Sequence, residues 1–374
     1  MNDVSLLIKP ASSLCNLRCR YCFYEDESEN RLQKCMGLMR QETAERLIDA
    51  AFAAQRGSGS ITFSFQGGEP TVAGLEFFER FVALVEEKKR RSVRVHYALQ
   101  TNGMVLDAAW AAFLNKNRFL VGLSVDGDRE THEACRVDAQ GKGTYAKAVT
   151  ALHLLQKAQV EVNLLCVVTR QCARSPQKVY NALKKLGARY LQFIPCLDPL
   201  QAQRGSLDYS LTPQDYGRFL CTLFDCWFYD WQHGQYTSIR QFDDYVHLAM
   251  GIASASCACA GRCGGYLVIE ADGSAYPCDF YAMDDWRLGN IHDASLDTLM
   301  AGERYCAFVR ESLKRPAVCI DCPHAALCRG GCRRDWLARE RENYFCAAYR
   351  QFFDYAGPRL TWLAARERMA RCAR

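Results

Sequence analysis

Short apolar runs alternate with amphipathic stretches along the first 235 residues. VSLLI (4–8), ITFSF (61–65), VRVHYAL (93–99), FLVGLSV (119–125), VEVNLLCVV (160–168) and YLQFI (190–194) read as strands. Between and after them, apolar positions recur at helical spacing over about 41–56, 74–90, 107–116, 144–158, 175–186 and 212–232. Six such βα units in series predict a parallel sheet. No second Gly-rich dinucleotide fingerprint accompanies them, so an incomplete barrel is expected rather than a Rossmann sheet. After about residue 250 the periodic segments thin out. The expected class is α/β: a partial (β/α)6 TIM-like barrel over 1–235, a small cysteine-rich domain over 236–346 and a C-terminal helix over 347–374.

In a βα barrel the chemistry lies at the C-terminal ends of the strands. Those ends carry Cys15-Asn-Leu-Arg-Cys19-Arg-Tyr-Cys22, then Gln66-Gly67-Gly68-Glu69-Pro70, Gln100-Thr-Asn-Gly103, Ser124-Val-Asp-Gly127 and the segment Pro195–Pro199. Gly, Asn and Asp are common turn formers, so any one of these alone reads more readily as a turn. Their arrival after successive strands points to one mouth.

The 374 residues carry 47 basic and 42 acidic side chains, an excess too small and scattered to argue for nucleic acid. The N-terminus lacks a signal-peptide pattern, and no apolar run approaches a membrane span. A cytoplasmic protein acting as a monomer is expected. Cysteine is the outlier: 21 copies, an odd number, in a chain expected to meet a reducing compartment. That argues for metal or cluster ligation over a disulfide scaffold.

Three thiolates can hold three irons of a four-iron cube and leave the fourth iron open. A zinc site borrowing a distant fourth ligand is the alternative, although C-x3-C-x2-C is not a usual zinc spacing. Cys15-x3-Cys19-x-Tyr21-Cys22, with an aromatic before the third cysteine, resembles the signature of the radical S-adenosylmethionine (SAM) superfamily. Gly67-Gly68-Glu69-Pro70 matches that superfamily's GGEP motif. The resemblance implies that Cys15, Cys19 and Cys22 hold a [4Fe–4S] cluster and that SAM fills the open iron. One electron then releases a 5′-deoxyadenosyl radical. It also implies that Gln66, Gly67, Gly68 and Glu69 contact the methionine end, Ser124 and Arg136 the carboxylate and ribose region, and Tyr21 the adenine. Leu197, after strand six, joins the cofactor-binding set.

The later cysteines are spaced Cys263-x9-Gly273-x4-Cys278, then Cys319-x2-Cys322-x5-Cys328-x3-Cys332, then Cys346. CxxC pairs also occur in zinc ribbons, which remain the alternative. The pattern resembles the SPASM domain, which carries auxiliary [4Fe–4S] clusters. Seven cysteines need one more to complete two four-thiolate sets, and Cys257 or Cys259 could supply it. Family spacing favours Cys257. The resemblance then implies one cluster on Cys257, Cys263, Cys278 and Cys332 and another on Cys319, Cys322, Cys328 and Cys346, three clusters in all.

The run from Glu270 to Tyr281, EADGSAYPCDFY, followed by WRLGNI, resembles the anaerobic sulfatase-maturating enzymes. Those enzymes oxidise a Cys or Ser of a sulfatase to Cα-formylglycine (3-oxoalanine). The resemblance implies an unfolded sulfatase segment of Cys/Ser-x-Pro-x-Arg type as partner, and an electron donor such as flavodoxin or ferredoxin. Asp279, directly after Cys278, is the candidate general base; capping a turn after Pro277 is the plainer reading. Tyr24 is a candidate substrate-site residue, or a packing aromatic. The competing function is a SPASM maturase of ribosomal natural-product peptides. A non-catalytic iron–sulfur or zinc module would not need an open-iron loop.

Overall fold

The structure, a computed structural model, describes residues 1–254, 256–337 and 342–372. Ten strands are present among them. In chain order they are β1 (Asp3–Ile8), β2 (Gly59–Phe65), β3 (Val93–Thr101), β4 (Phe119–Ser124), β5 (Glu161–Val168), β6 (Tyr190–Pro195), β7 (Ser238–Ile239), β8 (Leu267–Ile269), β9 (Ser274–Tyr276) and β10 (Gly289–Asn290). Each of the six predicted strands is there, as are the six predicted helices: Gln41–Ala54, Leu75–Lys88, Ala108–Lys116, Tyr145–Lys157, Pro176–Lys185 and Pro213–Gln232. The α/β class with parallel pairing is therefore what the protein has. β3 runs two residues beyond its predicted end, so Gln100 and Thr101 lie on the strand.

The chain divides into two compact units. The first holds residues 1–125, 132–163 and 264–308; the second holds 126–131, 164–263 and 309–374.

In the first unit β1, β2, β3 and β4 pair in parallel, with Ile8 opposite Phe65 and Phe65 opposite Leu99. β2 shows why ITFSF is a strand. Ile61, Phe63 and Phe65 are buried on one face. The helix Leu75–Lys88 meets them with Phe78 and Phe81, placed three residues apart for that purpose; both rings lie edge-on to Phe65 at 4.9 and 5.0 Å. On the other edge of β1, β8 adds in parallel, with Ile8 opposite Ile269, and β9 and β10 follow antiparallel. Residues Gly264–Phe308, drawn from the cysteine-rich stretch of the sequence, thus pack with the first unit. Leu7, Val268, Tyr276 and Ala282 form a buried cluster there.

In the second unit β5 pairs with β6 and β6 with β7, all parallel. The helix Pro213–Gln232 starts on Thr212, whose hydroxyl accepts from Asp215 N–H, with proline at the first helical position. It packs with Arg240–Ala249 and with the C-terminal helix Cys346–Cys372 through Phe224, Phe242 and Phe352, whose centroids lie 5.3–5.7 Å apart. That last helix begins one residue before its predicted start. Positions 373 and 374 fall outside the described residues. No helix among the described residues is long and apolar enough to cross a membrane.

Candidate active site

Cys15, Cys19 and Cys22 lie between β1 and the helix Phe23–Glu29, for which Cys22 is the N-cap. The loop is tied down by its neighbours. Arg18 N–H donates to Val137 O at 2.8 Å and Arg20 N–H to Cys135 O at 3.0 Å. Donors also turn toward the sulfurs: Leu17 N–H to Cys15 Sγ at 3.4 Å, Asn102 Nδ2 to the same sulfur at 3.8 Å, and Arg136 Nη1 to Cys19 Sγ at 3.9 Å. Burial pushes the Cys15 thiol up to about 11 and the Cys22 thiol upward. Such thiols become thiolates by binding metal. Three cysteine sulfurs on one loop, with N–H groups aimed at two of them, fit an iron–sulfur group, whose sulfurs accept hydrogen bonds.

The turn after β2 is built against this loop. Gly67 and Gly68 have φ of +92° and +50°, the left-handed region that favours glycine. A Cβ on Gly68 would stand 2.3 Å from Leu14 O. Glu69 N–H donates to that same carbonyl at 2.8 Å. The Glu69 side chain, 1% exposed, joins three segments. Its Oε1 accepts from Thr71 N–H, Thr71 Oγ1 and Thr101 Oγ1, and its Oε2 from Asn102 N–H at 2.7 Å. Burial raises its pKa despite these donors. Oε2 keeps a lone pair for one more donor. Nearby, the Arg136 guanidinium lies over the Tyr21 ring at 5.4 Å. Ser124 ends β4 and is buried. Leu197 is half-buried in the second unit, after β6.

Asp279 belongs to the first unit, one residue past Cys278 and at the head of a short helical turn, Asp279–Tyr281. It is 3% exposed. Its Oδ2 accepts from Tyr24 Oη at 2.6 Å and from Gln66 Nε2 at 3.1 Å, and Gln66 also donates to Tyr24 Oη at 2.5 Å. Its Oδ1 faces Lys9 Nζ at 3.2 Å. Burial, then the Asp279 charge, holds the Tyr24 phenol well above its ordinary value, so it stays a donor. The candidates Tyr24, Gln66 and Asp279 therefore form one hydrogen-bonded set. Gln66 reaches it through its side chain.

Lys9, Arg31 and Glu270 escaped the sequence reading. Arg31 Nη1 donates to Glu270 Oε1 at 2.6 Å, and Lys9 lies 3.7 Å from the same carboxylate. The one available signal was a lysine closing a buried strand, VSLLIK, where a charge needs partners.

In the second unit Cys319, Cys322, Cys328 and Cys346 all line one pocket with Val318, Tyr349 and Phe353. Burial, then neighbouring charge, pushes Cys328 up to about 11 and Cys346 up to about 12. Four cysteines lining one pocket fit an iron–sulfur cluster. Cys257, Cys263 and Cys332 also belong to this unit, while Cys278 belongs to the first. Burial and then the nearby Cys257 raise the Cys263 thiol. Cys259 is sealed in beside Asp244 and pushed up to about 12 by burial and then by that carboxylate.

Two family models match the chain: the radical SAM superfamily over residues 10–183 and an iron–sulfur cluster-binding domain, SPASM, over 259–323. The chain is 45% identical to the cysteine-type anaerobic sulfatase-maturating enzyme of Clostridium perfringens (strain 13 / Type A), over 96% of this chain and 98% of that enzyme. It is 30% identical to the serine-type anaerobic sulfatase-maturating enzyme of Bacteroides thetaiotaomicron, over 96% and 90%. A solved structure of native anSMEcpe with bound AdoMet and Cp18Cys peptide superimposes with a TM-score of 0.92 at 44% identity, covering 97% of this chain and 99% of that one.

Proposed function

Since the chain belongs to the anaerobic sulfatase-maturating enzymes of the radical SAM superfamily, we propose that it oxidises a cysteine or serine side chain of a sulfatase polypeptide to Cα-formylglycine. The observation that carries this reading is the buried Asp279 carboxylate, held by Tyr24, Gln66 and Lys9 in the same unit as the cysteine loop.

Cys15, Cys19 and Cys22 would hold a [4Fe–4S] cluster, which together with SAM would supply the removal of a hydrogen atom from the target Cβ. What this chain's residues do follows from their placement. The left-handed turn at Gly67-Gly68 lets the backbone approach a ligand closely. Glu69 Oε2 has room to accept from an ammonium. Arg136 and Ser124 offer donors for the carboxylate and ribose region, Tyr21 is assigned to the adenine, and Leu197 is kept in the cofactor-binding set.

After losing the hydrogen atom, the substrate must give up one electron and the proton of its thiol or hydroxyl. Asp279 takes that proton, and the Tyr24 and Gln66 donors keep its carboxylate oriented. An auxiliary cluster, bound by this chain's later cysteines, would supply an acceptor for the electron. Two are assigned, on Cys319, Cys322, Cys328 and Cys346 and on Cys257, Cys263, Cys278 and Cys332, giving three [4Fe–4S] clusters. Pocket lining supports the first set. Family spacing supports choosing Cys257 over Cys259 for the second. Functionally, 1–235 is assigned the radical chemistry, 236–346 the auxiliary clusters and 347–374 a closing helix.

The higher identity with the cysteine-type relative supports a thiol substrate in an extended Cys-x-Pro-x-Arg segment, and a flavodoxin or ferredoxin as reductant. A cysteine-rich chain with no disulfide recorded among its described residues suits a cytoplasmic enzyme. We take the working form to be the monomer.

The test is anaerobic. The chain is loaded with iron and sulfide, reduced, and given SAM with peptides bearing a Cys-x-Pro-x-Arg or Ser-x-Pro-x-Arg core. Mass spectrometry should show sulfur replaced by oxygen with loss of two hydrogens in the first, and loss of two hydrogens in the second. 5′-Deoxyadenosine should form alongside. Deoxyadenosine without peptide change would move the substrate to another class. In the same assay Asp279→Asn should still form deoxyadenosine, with aldehyde lowered about 100-fold. Aldehyde at the parental rate would remove Asp279 as the base.

A further inference from the structure

Lys9 is 1% exposed, an unusual place for an ammonium. It sits just past β1, where its N–H donates to Ile269 O of β8 at 2.9 Å. Three carboxylates surround its Nζ: Asp279 at 3.2 Å, Glu270 at 3.7 Å and Glu27 at 3.9 Å. Burial would lower its pKa, but the attraction of Asp279, Glu270 and Glu27 outweighs that and raises it, so the charge is retained. The same Nζ lies 4.9 Å from the centre of the Tyr24 ring. The stem has a separate contact. A Cβ placed on Gly67 would stand 2.5 Å from Lys9 Cγ and 2.7 Å from Cδ, so the methylenes lie flat against the glycine turn.

One side chain therefore touches both the turn assigned to the cofactor and the carboxylate assigned to the proton. We infer that Lys9 is a positioning residue for the oxidation: its stem, braced on Gly67, and its ammonium, on Asp279 Oδ1, fix the base relative to the cofactor turn. The inference rests on Asp279 being the base. Asp279 is held on two sides. Tyr24 and Gln66 fix Oδ2, and Lys9 fixes Oδ1. With the ammonium gone, the carboxylate can pivot about Oδ2, away from the thiol whose proton it takes.

The experiment uses the full chain, loaded with iron and sulfide. Lys9→Met keeps a stem against Gly67 and removes the charge. The substrate is a Cys-x-Pro-x-Arg peptide deuterated at the cysteine Cβ. Deuterium should still enter deoxyadenosine, and the peptide KM should stay within about twofold of the parent. Aldehyde formed per deoxyadenosine should fall about 100-fold, the size expected of a misplaced reacting group.

Removing one cation from a group of two cations and three carboxylates threatens folding, so Lys9→Met/Glu27→Gln restores the original charge sum. It should uncouple in the same way. An unchanged aldehyde-to-deoxyadenosine ratio in either soluble variant overturns the inference. So does parallel loss of iron, deoxyadenosine and aldehyde in both, which would make Lys9 a folding residue. Asp279→Asn is run beside them. If it uncouples and Lys9→Met does not, only the Lys9 inference fails. If it makes aldehyde at the parental rate, the base assignment fails first.

Discussion

Gly68 has little freedom to change. Its φ of +50° disfavours a side chain, and a Cβ would press into Leu14 O, a backbone atom beside Cys15 that cannot rotate away. Gly68→Ala should cost about 3 kcal/mol of local strain, seen as a lower melting midpoint and incomplete iron loading of the purified protein. Glu69 depends on the same turn, because its four donors come from Thr71, Thr101 and Asn102. These residues were legible in the sequence since their demands are local: a left-handed turn needs glycine whatever lies elsewhere. Lys9 was not, because its meaning depends on residues more than two hundred positions away. Tyr24 and Asp279 were singled out by resemblance. Nothing in their own neighbourhoods says that they touch.

At the scale of elements, long strands and helices were readable and short ones were not. ITFSF and the 75–88 helix carry enough periods of burial to announce themselves. β8 and β9 have three residues each, too few for a period to show. They form because β1 offers an open edge in register, and because Gly273, with φ of +85°, turns the chain where a Cβ would meet Asn290 Oδ1 at 2.8 Å. The helix Phe23–Glu29 was missed for a similar reason: it is only seven residues long and starts on a cysteine. Val268, fully buried against Leu7, Tyr276 and Ala282, holds the hairpin in place. Val268→Ala should lower stability by about 2 kcal/mol, read from the midpoint of chemical unfolding. Aldehyde yield should fall further than deoxyadenosine, because the hairpin leads directly to Asp279.

Across the whole molecule, the buried charges set a pH window for stability. Burial alone would raise the Glu270 pKa, but Lys9 and Arg31 together pull it below its ordinary 4.5. A depressed carboxylate stabilises the fold above its unfolded value, and that contribution is lost as pH falls through the folded one. Lys9, raised above 10.5, contributes fully below that value and loses its contribution as pH rises through the folded one. The acid limb of a stability–pH curve, below about 4.5, should therefore flatten in Glu270→Gln relative to the parent, with the comparison made by thermal melting across pH 3–6. A limb unchanged by the substitution would mean that other carboxylates set it. One further consequence concerns how the protein is made. Tyr24 and Asp279 meet across 255 positions of chain. A ribosome adds about 5–20 residues per second, so the carboxylate is synthesised tens of seconds after the phenol it will bind. During that interval the growing chain already carries the three thiols and the glycine turn. A polypeptide terminated early would keep the means to hold iron and lack the means to finish the oxidation.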